Sequence, residues 1–153
     1  PALGRPTVSV GTIRGGTGTN VVPDRCEIQV DRRLMPGEIA AQVLDDLRAR
    51  LTAIPGGVEI GLLKEGLPFR TDPEAPLVRS FCAALEAAGV PPVWEGAAWC
   101  SDAGPLAAAC GETLVWGPGS IAQAHTTDEY VEAAALETGA AVLRRFLLAA
   151  AQG

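Results

Sequence analysis

Cys26-Glu27-Ile28-Gln29-Val30-Asp31-Arg32-Arg33-Leu34-Met35-Pro36-Gly37-Glu38 is the stretch on which the fold turns. Side chains point to opposite faces along a strand, so alternation of apolar and polar residues marks a strand with one wet side. Cys26, Ile28, Val30 and Leu34 fall on one face, with Glu27, Gln29, Asp31 and Arg33 on the other. Arg32 is the one polar residue on the apolar face. The pattern is that of an antiparallel strand packed on one side only. Pro36-Gly37-Glu38 breaks it and opens a helix, on which Ile39, Val43, Leu44, Leu47 and Leu51 recur at helical spacing until Pro55-Gly56-Gly57.

Working outward, Thr7 to Ile13 is β-branched at most positions and predicts a strand ending at Gly15-Gly16. Val58, Ile60 and Leu62 alternate as a further strand. Strand, strand, helix, strand is part of a ferredoxin-like split βαβ unit without its first strand and helix. Gly66 to Pro73 is rich in turn residues and is the expected boundary, dividing the chain into residues 1–68 and 69–153. Beyond it the spacing predicts a helix from Pro76 to Ala88 and a short strand near Val93 and Trp94. A helix from Ala103 to Cys110 is expected next, with Ser101-Asp102 as its cap, then a buried strand from Thr113 to Trp116. The last helix runs from Ala133 to Ala150, with Leu136, Ala140, Leu143, Leu147 and Ala150 on its expected buried face. The fold class is α+β: a partial ferredoxin-like lid, then part of an α/β layer.

With 153 residues, 48% of them hydrophobic and 20% charged, the chain is globular rather than disordered. A net charge of −6 without a basic cluster argues against nucleic acid or an anionic membrane surface as partner. No apolar run approaches the roughly 20 residues that span a bilayer. The chain opens on Pro-Ala-Leu-Gly-Arg, without Met or a signal-peptide pattern, which suits a fragment or a processed chain. Cys26, Cys82, Cys100 and Cys110 have no metal-finger spacing; they read as reduced thiols of a cytoplasmic protein, with Cys26 and Cys82 in apolar patterns.

His125 is the single histidine. Taken alone it reads as a satisfied structural histidine; its place after the expected buried strand and the Gly117-Pro118-Gly119 turn, where α/β proteins put ligands, opens the reading as a metal ligand, imidazole being the commonest. A catalytic zinc takes about three protein ligands. Asp128 and Glu129 could supply others in principle, but one turn from the histidine they better suit supporting it or facing solvent, so the count falls short. Gly15-Gly16-Thr17-Gly18 is not a phosphate loop, because it joins two strands and has no lysine. Ser101 and Ser120 lack a nucleophile-elbow context. Arg33, beside Asp31 on the wet strand face, is either a surface ion pair or a two-pronged carboxylate holder.

Two blocks of sequence carry a resemblance. The first is Gly15-Gly16-Thr17, Asn20-Val21-Val22-Pro23-Asp24, Cys26-Glu27-Ile28 and Asp31-Arg32-Arg33-Leu34-Met35-Pro36-Gly37-Glu38. The second is Ser101-Asp102-Ala103, Gly117-Pro118-Gly119, Ala124-His125-Thr126 and Asp128-Glu129-Tyr130-Val131. In order and spacing they resemble the acetylornithine deacetylase and succinyl-diaminopimelate desuccinylase family of dinuclear zinc hydrolases over nearly the whole chain. The resemblance implies a lid (dimerisation) domain joined to the C-terminal part of a zinc-hydrolase domain. It makes His125 the last metal ligand and Gly119 a turn whose backbone faces substrate. Asn20 and Arg33 become lid residues that hold substrate, and Asp102 an acidic loop organiser. It also implies two zinc ions, of which this chain supplies at most one ligand, so that the fragment alone is expected to be inactive. The substrate would be an N-acyl amino acid or a peptide-like amide, cleaved by zinc-activated water, and the lid would form a homodimer. Two rivals stand beside it: a non-catalytic dimerisation module, and a small-molecule-binding regulatory domain of ferredoxin-like type.

Overall fold

The computed structural model describes residues 3–152. They carry one two-stranded antiparallel sheet and four α-helices, an α+β content. The chain divides into two compact units. One runs up to Phe69 and takes in Gly96–Gly104; the other comprises Arg70–Glu95 and the remainder from Pro105.

In the first unit, β1 (Val8–Gly15) pairs with β2 (Cys26–Arg32). Val8 and Val10 share a phase that Ile13 would break. A bulge between Val10 and Thr12 restores it, leaving Gly11 as the extra residue. The register then places Val8 opposite Arg32, Val10 opposite Val30, Ile13 opposite Ile28 and Gly15 opposite Cys26. Those residues share one face; Ser9, Thr12, Arg14, Glu27, Gln29 and Asp31 share the other. The apolar face is open, Ile13 being 69% exposed and Ile28 55%.

Arg32, the exception on that face, turns to Glu38, whose carboxylate also accepts the Met35 N–H at 2.7 Å. This closes the turn leading to α1 (Ala40–Leu51). Of α1's expected apolar residues, Val43, Leu44 and Leu51 are half-buried, and Ile39 and Leu47 are exposed. α1 packs on neither strand. Val58–Leu62 forms no ladder, and neither do residues near Val93 or Thr113–Trp116. A strand exists only when it pairs with another edge; among the described residues these segments pair with none, and the outer edges of β1 and β2 carry no third strand.

The second unit is built on α2 (Pro76–Ala87) and α4 (Ala133–Ala150), which pack together. Pro76 suits the first helical position, where its missing N–H costs nothing. α2 buries Val78, Phe81, Ala84 and Leu85. Gly89 closes it at φ +75°, with the Val90 N–H donating back to the Leu85 carbonyl at 2.9 Å. The Phe81 ring meets Trp116 and Phe146 edge-on, each at 5.3 Å between centroids. Leu114 and Trp116 pack against this core although their segment has no strand partner. The backbone of Thr113 is satisfied instead by the Thr71 hydroxyl, which both donates to its carbonyl and accepts from its N–H.

α4 turns a different stripe inward from the expected one. Gly139 and Val142 are buried and Phe146 half-buried, while Leu136, Leu143 and Leu147 are exposed. A helix of alanine and leucine is apolar almost all round, and here the aromatic contact of Phe146 with Phe81 fixes which side faces α2. α3 spans Ala103–Cys110. None of the helices is long and apolar enough to cross a membrane.

Candidate functional site

Three of the five candidate residues, Asn20, Arg33 and Asp102, lie in the first unit, and Gly119 and His125 in the second. Asn20 sits in the exposed turn between β1 and β2, its Oδ1 beside Gly18; the Val21 N–H donates to the Gly18 carbonyl at 3.3 Å. Arg33 follows β2 directly. Its Nε donates to Asp31 Oδ1 at 2.8 Å, an exposed ion pair that contributes little stability. Its Nη1 reaches a distant stretch of chain, donating to the Ala98 carbonyl and to Cys100 Sγ, each at 3.3 Å.

Asp102 lies two residues beyond Cys100, exposed at the entry to α3. The side-chain hydrogen bond at this helix start comes from its neighbour: the Ser101 hydroxyl accepts the Ala103 N–H at 3.3 Å. α3 begins very close to earlier backbone. A Cβ on Gly104 would collide with the Leu67 carbonyl oxygen, so space alone favours glycine there.

In the second unit, Gly119 adopts φ +88°, a left-handed conformation that glycine takes without cost. The turn is wedged on α4. A Cβ at Gly139 would come within 3.1 Å of Pro118, and one at Gly119 within 3.2 Å of Val131. A shallow, open depression of about 430 Å³ lies here, lined by Val90, Trp116, the 117–119 turn and the first turns of α4. Ser120 starts a short 3-10 turn (Ile121–Gln123), its hydroxyl accepting the Ala122 N–H at 3.3 Å. The Thr126 hydroxyl donates to the Gln123 carbonyl at 2.8 Å and ties the far side of the turn.

His125 lies between these two ties, exposed, at φ +61°. It is the one described non-glycine residue in the left-handed region. That conformation is uncommon outside glycine, asparagine, aspartate and histidine, and it persists only where the surroundings impose it. The imidazole makes no hydrogen bond among the described residues and is open to solvent. One such nitrogen suits a metal, but a cage needs more. Among the described residues no three His, Cys, Asp or Glu side chains cluster closely enough to hold an ion. The donor set of the described residues therefore does not fit a complete zinc site.

Sequence reasoning missed Ala98 and Cys100 as partners of Arg33, and Gly104 as a close approach. Nothing in their local pattern signals these contacts, which for Ala98 and Cys100 arise 65 and 67 residues away and for Gly104 come from Leu67. The four cysteines are free thiols; Cys26, Cys100 and Cys110 are exposed, and Cys82 is half-buried. Cys26, expected in an apolar environment, lies on the open face of the sheet.

Residues 1–59 match the family model described as a peptidase dimerisation domain. The chain is also similar to curated proteins named acetylornithine deacetylase. It is 35% identical to that of Myxococcus xanthus over 146 residues, 91% of this chain and 37% of the relative. It is 34% identical to that of Proteus mirabilis over 137 residues, 86% and 34% respectively. Identity to that of Aliivibrio salmonicida is 37% over 132 residues, 82% and 33%. The chain thus spans about a third of the length of the curated relatives it matches.

Proposed function

Because the chain belongs to the acetylornithine deacetylase and succinyl-diaminopimelate desuccinylase family, we propose that it is part of a metal-dependent hydrolase acting on N-acyl amino acids. The observation that carries this reading is the extent of the similarity. It runs well past the 59 residues of the dimerisation domain into the unit that holds the Gly117–Gly119 turn and His125. A dimerisation module alone, or a free-standing regulatory domain, would have no reason to keep that second part.

In this reading residues 1–68 are lid and residues 69–153 belong to the catalytic domain. His125 donates one imidazole to zinc, and the remaining ligands are not among the described residues, so this chain alone does not hydrolyse substrate. The contribution of its own residues is recognition. The Gly119 backbone faces the substrate, and Asn20 and Arg33 hold it from the lid, a guanidinium being matched to a carboxylate in both geometry and charge. Asp102 organises the loop before α3. The open apolar face of the β1–β2 ribbon favours a homodimer, since exposed apolar surface of this kind marks an interaction site. Four free thiols suit a cytoplasmic location.

The test is zinc content and hydrolysis of N-acetylornithine by the full-length protein with His125 intact and with His125→Ala. Lowered zinc content and loss of hydrolysis are expected in the variant. Full metal content and full activity in His125→Ala would rule the reading out.

A further inference from the structure

Arg33 engages two of its three guanidinium nitrogens inside the molecule. Nε is committed to Asp31, and Nη1 is shared between the Ala98 carbonyl and Cys100 Sγ. The segment held in this way, Gly96–Gly104, groups with the first unit although its neighbours in sequence group with the second. Packing fixes the segment at two further points: a Cβ on Gly66 would lie 3.5 Å from Cys100 Sγ, and Gly104 abuts the Leu67 carbonyl. Neither of these is a hydrogen bond. Among the described residues, Arg33 makes the side-chain hydrogen bonds that reach the segment from outside it.

We propose that Arg33 is a latch: its guanidinium holds segment 96–104 in place, and an anionic carboxylate that takes the same nitrogen releases it. The hold stands on geometry alone; the release rests on the reading of Arg33 as a substrate-carboxylate holder. A guanidinium offers five N–H donors in one plane. With Nε engaged by Asp31, an incoming carboxylate meets the edge formed by Nη1 and Nη2, and Nη1 is the nitrogen that holds the segment. An incoming carboxylate adds a charge–charge attraction to the guanidinium, and a second oxygen for it to grip, that the Ala98 carbonyl and the Cys100 sulfur do not provide, so the ligand displaces the weaker partners. Ligand and segment are then linked, each weakening the hold of the other. Asp102 rides on the segment, so occupancy of Arg33 sets the freedom of the loop that leads into α3. Arg33 acts here as a positioning residue.

Hydrogen–deuterium exchange of peptides covering Ser101–Gly104, where the Ala103 and Gly104 amides are hydrogen-bonded to Ser101 at the end of the segment, reads the latch when measured on the full-length protein. Arg33→Met is expected to speed exchange there roughly tenfold, the loss of a charge-assisted hold, with peptides from α2 and α4 unchanged. Arg33→Lys keeps the charge and one donor direction and restores part of the protection. Saturating N-acetylornithine is expected to speed the same peptides in the unsubstituted protein and to add nothing in Arg33→Met. Unchanged exchange in Arg33→Met overturns the latch, even where that variant has lost turnover, an outcome that leaves the proposed function standing. Bound ligand with unchanged exchange overturns the release. If Arg33→Met does not fold, Cys100→Ala, which removes one acceptor, should give a smaller acceleration of about two- to fivefold; no acceleration there also overturns the latch.

Discussion

The Arg32 guanidinium is forked onto the Glu38 carboxylate, Nη2 to Oε1 at 2.6 Å and Nη1 to Oε2 at 3.4 Å. The pair resolves what in sequence is a fault: a cation on the apolar face of β2 is drawn off that face and used to close the turn into α1. The Arg32 hydrogen bond, then the Met35 N–H, hold the Glu38 carboxyl below its usual range. A depressed carboxylate contributes stability that is present above the unfolded-state pKa, about 4.3 for Glu, and is lost as pH falls through the folded value. Urea denaturation should therefore show Glu38→Gln less stable than the unsubstituted protein at pH 7, with the gap closing below about pH 4. A gap that stays constant down to pH 3 would contradict this account.

Gly104→Ala drives a methyl into the Leu67 carbonyl oxygen, a backbone atom that cannot rotate away. Overpacking of this kind costs about 1–3 kcal/mol. Gly61 is the control, with nothing within 4 Å of its added Cβ and no left-handed backbone. Gly61→Ala should lie within about 0.5 kcal/mol of the unsubstituted protein in the same denaturation experiment.

Much of the fold is legible because local chemistry decides it. Pro76 at a helix start and the long alanine-leucine run after Glu132 set α2 and α4 without help from distant residues. What is not legible depends on partners. β-Branched residues mark β1, but which residue bulges is set by pairing with β2, so the role of Gly11 is invisible until Val10 and Ile13 face Val30 and Ile28. Val58–Leu62 alternates as well as β2 does and still forms no strand, because pattern supplies a face and not an edge. The candidate site divides in the same way. Arg33 is readable as a guanidinium on a wet strand face, whereas its bonds to Ala98 and Cys100 are tertiary and leave no local trace.

Phe81 is the centre of the second unit, touching Trp116 and Phe146 edge-on. Phe81→Ala removes both aromatic contacts and leaves a cavity between α2 and α4. The expected loss is about 3–5 kcal/mol. Trp116 gives a separate readout in near-ultraviolet circular dichroism, which should lose intensity as its neighbour is removed; a loss under 1 kcal/mol would mean that this cluster is not the core.

Burial pushes the Cys82 thiol up, and the Glu86 carboxylate adds to it. The thiolate is the reactive form, so a raised pKa and half-burial both slow alkylation. Under limiting N-ethylmaleimide at pH 8, peptide mapping should find Cys26, Cys100 and Cys110 labelled before Cys82. Glu86→Gln should speed Cys82 labelling modestly, because it removes the smaller of the two causes. Labelling of Cys82 ahead of the exposed thiols would contradict the packing of α2.

His125 joins a backbone demand to a chemical one, and two substitutions separate them. Its φ of +61° is tolerated by glycine and costs an alanine about 1–2 kcal/mol. Both His125→Gly and His125→Ala remove the imidazole, but only the first suits the turn between the Ser120 and Thr126 hydrogen bonds. In stability, His125→Gly should match or exceed the unsubstituted protein, with His125→Ala below both by roughly 1 kcal/mol. In zinc content and N-acetylornithine hydrolysis of the full-length protein, the two variants should be equally deficient. A well-folded His125→Gly that keeps its zinc and its rate would show that the histidine is present for the turn alone.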